Sequence, residues 1–95
     1  MSANIQREYF LTILSGEKKI EYRDWTDYWQ TRITNAGRPP FHLRLINGMH
    51  KNAPELTVLV EKVLMNAWDN EYELHLGEVI AVKNWEQKKT AAKEE

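Results

Sequence analysis

Lys18, Glu21 and Arg23 place an ammonium, a carboxylate and a guanidinium in one short stretch, "SGEKKIEYRDW" (Ser15 to Trp25). Two cations beside a carboxylate can hold a phosphate or a base edge, with the carboxylate orienting the cations and accepting from an amino group. The same set would meet the minimum for metal-free phosphodiester cleavage if the fold placed Glu21 as base and Lys18 and Arg23 facing the charge that develops on phosphorus, a placement the sequence does not show. Surface ion pairs are common and contribute only about 0–1 kcal/mol, so the structural alternative is a network that pins the strand to a helix.

The aromatic residues come next in chain order. Trp25, Tyr28, Trp29 and Arg32 share one face of the helix that follows. Trp29 is the expected wall of a binding cleft, with Arg32 beside it; Trp25 and Tyr28 are expected to face the core, as are Trp68 and Trp85. His42, His50 and His75 fall in no metal-ligand spacing, and neither a metal nor a cofactor is expected. His50 lies beside Lys51 in a loop, where a solvated histidine is the simplest reading. No nucleophile elbow, phosphate-binding loop or dinucleotide fingerprint is present, and a serine nucleophile with a histidine partner has no support, with Ser15 the one exception to consider because it precedes Gly16.

The elements that must carry these residues follow from periodicity. "NIQREYFLTILSG" reads as a helix with an apolar stripe of Ile5, Tyr9 and Ile13 and of Phe10 and Leu14, ended by Gly16. "KIEYR" alternates, which predicts a strand with Ile20 and Tyr22 packed inward and Glu21 and Arg23 forming a solvated front. Asp24 is the expected cap of a second helix, closed by Gly37 and Pro39–Pro40. "FHLRLIN" alternates through Phe41, Leu43 and Leu45. "ELTVLVEKVLM" slips parity between Val60 and Val63, which predicts a bulge or bend. "NEYELHLG" is a strand that Gly77 should break, and "EVIAVKNW" a last one. The order is helix, short strand, helix, then four strands. It predicts an α+β domain over residues 1–87, a small curled sheet or barrel covered by two helices, with residues 88–95 a charged tail that has little to bury.

Composition sets outer bounds. The chain has 95 residues, 42% hydrophobic and 28% charged, as in an ordinary globular domain. Without cysteine there is no disulfide framework and no thiolate metal site. No apolar run reaches the roughly 20 residues a membrane helix needs, and the N-terminus lacks a signal-peptide pattern, so a cytoplasmic protein is expected. Net charge is −1, but residues 1–51 carry eight Lys/Arg against five Asp/Glu and residues 52–95 five against nine. The basic half favours an anionic ligand in the first half of the chain.

"GEKKIEYR", Gly16 to Arg23, resembles the GxKxxExR signature of the ASCH domain family within the PUA-like superfamily. "YFLTILSG", the Tyr28/Trp29/Arg32 cluster, "LRLING" and "YELHLGEVIAV" are similar to the elements around it, so the resemblance spans roughly residues 4–85. It implies a small PUA-like β-barrel of about five strands, two flanking helices, and a cleft where Lys18, Glu21 and Arg23 gather. It implies RNA or a nucleotide as ligand, with Lys18, Glu21, Arg23, Trp29 and Arg32 as binding residues and Lys18 and Glu21 as candidate catalytic residues of a ribonuclease. Two alternatives accompany it. A subgroup of the family are N(4)-acetylcytidine amidohydrolases, whose threonine nucleophile falls where this chain has Glu21. Other members are coactivator-type modules that bind proteins, a role the acidic second half would suit.

Overall fold

The computed structural model describes residues 1–85 and shows a small α+β domain: a curled five-stranded half-barrel with two helices. The strands are β1 (Ser2–Asn4), β2 (Ile20–Asp24), β3 (Phe41–Ile46), β4 (Glu55–Asn66) and β5 (Glu71–Lys83); the helices are α1 (Arg7–Ser15) and α2 (Asp27–Ala36). Sheet order is β1-β3-β4-β5-β2, with β1 parallel to β3 and every other pair antiparallel. The expected tail at 88–95, and the domain boundary before it, lie outside the described residues. No helix among the described residues is long and apolar enough to cross a membrane.

The core lies between α1 and the concave sheet. Phe10 and Ile13 of α1 meet Leu43 and Leu45 of β3, Leu56, Val58 and Val60 of β4, and Leu74 and Leu76 of β5, all buried. α1 ends where Gly16 adopts φ 88°, with its N–H donating to the Ile13 carbonyl at 3.1 Å. Only glycine takes that left-handed cap without strain. α2 has no fully buried residue; Trp29 and Ile33 lean half-buried on the rim of the core. Its N-cap is Thr26, whose hydroxyl accepts from the Trp29 N–H at 3.3 Å, not the expected Asp24, which ends β2 instead.

Three further expectations need correction. Residues Ser2–Asn4 form a strand, too short for any period to reveal. Gly77 does not break β5: β4 and β5 carry facing irregularities, and two residue steps on β4 (Val58 to Val60) oppose three on β5 (Val79 to Leu76), followed by two steps on β4 (Val60 to Lys62) against one on β5 (Leu76 to His75). Gly77 occupies this bulge, where the Glu61 side chain covers the space a Cβ would fill. The parity slip between Val60 and Val63 is present as expected. The third correction is the face of β2. Register pairs Glu21 with Leu74 and Arg23 with Tyr72, both inward-facing residues of β5, and Tyr22 with Glu73 on the outer face. Glu21 is therefore only 6% exposed, while Tyr22 is 45% exposed. An alternating strand offers two choices of inner face, and its partner's register chooses.

Candidate functional site

Glu21 is the one charged residue buried among the described residues. A buried carboxylate persists only when paired and hydrogen-bonded. Its Oε2 lies 2.6 Å from Nη2 of Arg23 and its Oε1 3.7 Å from Nζ of Lys18. Both oxygens thus hold a cation, and Lys18, Glu21 and Arg23 form one connected ion triad. Lys18 also stands over the rings of Tyr9 and Tyr22, at 5.1 and 5.4 Å.

Arg23 links this triad to α2. Its Nη2 donates to the Asn4 carbonyl at 3.2 Å, and its guanidinium lies 4.9 Å from the Trp29 ring. Arg32, one turn along α2 from Trp29, donates from Nη2 to the Ser2 carbonyl at 2.8 Å and stands over Tyr28 and Trp29, at 5.0 and 5.7 Å. The geometry of β1 explains both bonds. Its Met1 carbonyl accepts from Arg44 N–H of β3, so the carbonyls of Ser2 and Asn4 point to the opposite, open edge. Two guanidinium groups, in place of another strand, close the seam between β1 and the β2–α2 side. Each guanidinium has five donors. Arg32 Nε is buried and finds no acceptor among the described residues, so its donor capacity is not exhausted.

Along this seam lies a cleft of about 280 Å³, walled by Ser2–Asn4, Ile46, Arg23, Tyr28, Trp29 and Arg32. Among the described residues its lining includes two cations, two aromatic rings and no carboxylate. Of the residues expected to bind, Arg23, Trp29 and Arg32 meet here. Lys18 instead borders a separate depression with Glu8, Tyr9, Thr12 and Glu17, and Glu21 is buried behind the cleft rather than lining it. Lys18, Glu21, Arg23, Trp29 and Arg32 therefore divide into an ion triad and an aromatic cleft that share Arg23.

Two lining features escape the sequence. Tyr28, assigned to the core by size, is 59% exposed and forms the outer wall, edge-on to Trp29 at 5.0 Å; its spacing to Arg32 was the available signal. The β1 edge gives none. Trp25 is likewise exposed, and Trp68, expected to pack, is 93% exposed. Trp85 does pack, 5.1 Å from Phe10 and with the Arg7 guanidinium 5.0 Å from its ring. Ser15 spends its hydroxyl on the Thr12 carbonyl. His50 and Lys51 are exposed and border a neighbouring depression that shares Asn4 and Ile46 with the cleft. That depression also contains the bidentate Arg44–Glu55 pair, at 2.8 and 2.9 Å. The hydrogen bonds from Arg44 hold the Glu55 carboxyl below its ordinary range and raise the Arg44 guanidinium above its own.

No family model matches the chain, and no curated protein and no solved structure matches it either.

Proposed function

We propose that the chain is an ASCH-type, PUA-like domain whose cleft takes one nucleotide, free or as part of single-stranded RNA. The observation that carries this reading is the joint lining of one cleft by Arg23, Arg32, Tyr28 and Trp29, with a buried carboxylate fixing the first arginine. Guanidinium groups recognise phosphate oxygens through paired donors, and a ring that is partly exposed offers a face on which any base can stack. The volume of about 280 Å³ lies at the low end of ligand sites, which suits one nucleotide better than a buried strand. The "GEKKIEYR" signature supports the same assignment.

The geometry favours binding over catalysis. A base that takes a 2′-hydroxyl proton must reach it within about 2.6–3.2 Å. Glu21 is buried, lies behind the cleft and already holds a cation on each oxygen. Calorimetric titration with cytidine and adenosine monophosphates tests the reading. Saturable binding that Arg32→Ala weakens by about tenfold or more, the loss of a charged hydrogen bond, supports it. No heat at millimolar nucleotide, or equal binding by the variant, removes it.

A further inference from the structure

The end of the molecule formed by the β4–β5 turn and the start of α2 is of a different character from the cleft. Trp68 is 93% exposed at the tip, and Leu64, Met65, Trp25 and Tyr22 are also exposed. Scattered apolar residues are ordinary on a surface, but a tryptophan this bare is not. It is also not on a slack loop. Asn66 Oδ1 accepts from the backbone N–H groups of Trp68 and Asp69 at 3.1 and 3.2 Å, and Asn66 Nδ2 donates to Asp69 and Glu73. The Trp25 N–H donates to the Asn70 carbonyl at 2.9 Å, tying the approach to α2 onto the same turn. The ring is thus presented from an ordered backbone, which lowers the entropy cost of using it as an anchor.

Charge identifies the occupant. Asp24 pairs in register with Glu71, two carboxylates directly opposite on neighbouring strands, an arrangement that destabilises the free protein. Asp27 and Asp69 stand at the same end, and none of the four has an ion-pair partner among the described residues. The sequence has no Lys or Arg from Asp24 to Thr31 or from Val63 to Val82. A nucleic acid is repelled from such a surface, whereas an arginine or lysine gains from both the carboxylates and the indole faces.

We propose that this tip docks a basic, partly apolar segment of a protein partner, with Trp68 as the central anchor and the carboxylates of Asp24, Asp27, Asp69 and Glu71 as the contacts for its cations. The site is independent of the nucleotide cleft. A fluorescein-labelled octapeptide of alternating leucine and arginine, added to the full chain, is the probe, with the leucine–glutamate octapeptide as control. The expected result is a saturable rise in anisotropy with the arginine peptide only. Trp68→Ala should weaken it by more than about tenfold, as hot-spot tryptophans do, and D69N combined with E71Q should weaken it further while flattening its salt dependence. Arg32→Ala, in the cleft, should leave it unchanged. Binding unaltered by Trp68→Ala, or equal binding of the glutamate peptide, overturns the proposal. So does a concentration-dependent dimer that Trp68→Ala abolishes, because the tip would then be covered by a second copy of this chain.

Discussion

Arg23–Glu21 and Arg44–Glu55 are both arginine–carboxylate pairs held on strands, and they behave as opposites. The first lies on the inner face of the half-barrel, the second at the outer surface beside the His50 loop. Arg44–Glu55 has the better geometry, two parallel hydrogen bonds, yet its arginine is half exposed and water competes for it. Arg23–Glu21 has one short contact and a distant lysine, but both partners are largely covered: the carboxylates of the two pairs are similarly enclosed, whereas the Arg23 side chain is 18% exposed against 52% for Arg44. Burial, rather than the number of hydrogen bonds, decides what each pair does. The outer pair adjusts surface stability with pH. The inner pair aims a guanidinium across the barrel seam and into a cleft.

The largest test of that contrast is Glu21→Ala against Glu55→Ala. Removing one partner of a buried pair costs about 3–5 kcal/mol, whereas Glu55→Ala should leave urea denaturation at neutral pH almost unchanged. Sequence alternation alone placed Glu21 on a solvated face, where its loss would matter little; an inward Glu21 reverses that expectation. Equal, small losses in both variants would break the comparison. The double change Glu21→Leu with Arg23→Met sharpens it. An apolar replacement of the whole pair can be neutral in stability, so this variant should stay folded and lose nucleotide binding.

The next effect is electrostatic and belongs to the cleft. With Arg23 and Arg32 as its only lining cations among the described residues, single-stranded RNA binding should show a log–log salt slope near −1.4, about −0.7 per neutralised phosphate. A slope steeper than about −5 would mean a long basic track that the cleft does not provide. Hydrolysis of N(4)-acetylcytidine should be absent or far below the 1–1000 per second of ordinary enzymes, since Glu21 offers no hydroxyl nucleophile and is enclosed by cations. Turnover in that range, measured by release of acetate, would contradict the binding reading.

The smallest effect is the pH response of the outer pair. Arg44 holds the Glu55 carboxyl below its ordinary range, chiefly by hydrogen bonding. The folded state therefore favours ionised Glu55. Its contribution is complete above the unfolded value of about 4.3 and is lost as pH falls through the depressed folded value. Glu55→Gln should lack that component of acid destabilisation, seen as a shallower fall of melting temperature between neutral pH and about pH 3 than in wild type.

What the sequence showed was local. The α1 stripe around Phe10 and Ile13, the Gly16 cap, the inward Leu43 and Leu45, and the parity slip after Val60 all follow from neighbours within a turn or a few strand residues. What it hid depends on distant partners. The face of β2 is set by Leu74 and Tyr72, which lie about fifty residues along the chain from their partners Glu21 and Arg23. β1 exists only because β3 and two arginines take its backbone groups. Gly77 reads as a breaker until Glu61 is seen to need its space. The arginines of the cleft were legible as types; their meeting across the seam was not.

The most direct measurement is an NMR titration of the intact, isotope-labelled chain with cytidine monophosphate, following backbone amides, the Trp29 indole and the Arg23 and Arg32 side-chain Nε–H groups. A nucleotide in the cleft predicts saturable shifts at Asn4, Arg23, Tyr28, Trp29 and Arg32, with Trp68 and the β4–β5 turn unmoved. Shifts that gather instead around Tyr9, Thr12 and Lys18, or none at millimolar nucleotide, would contradict it.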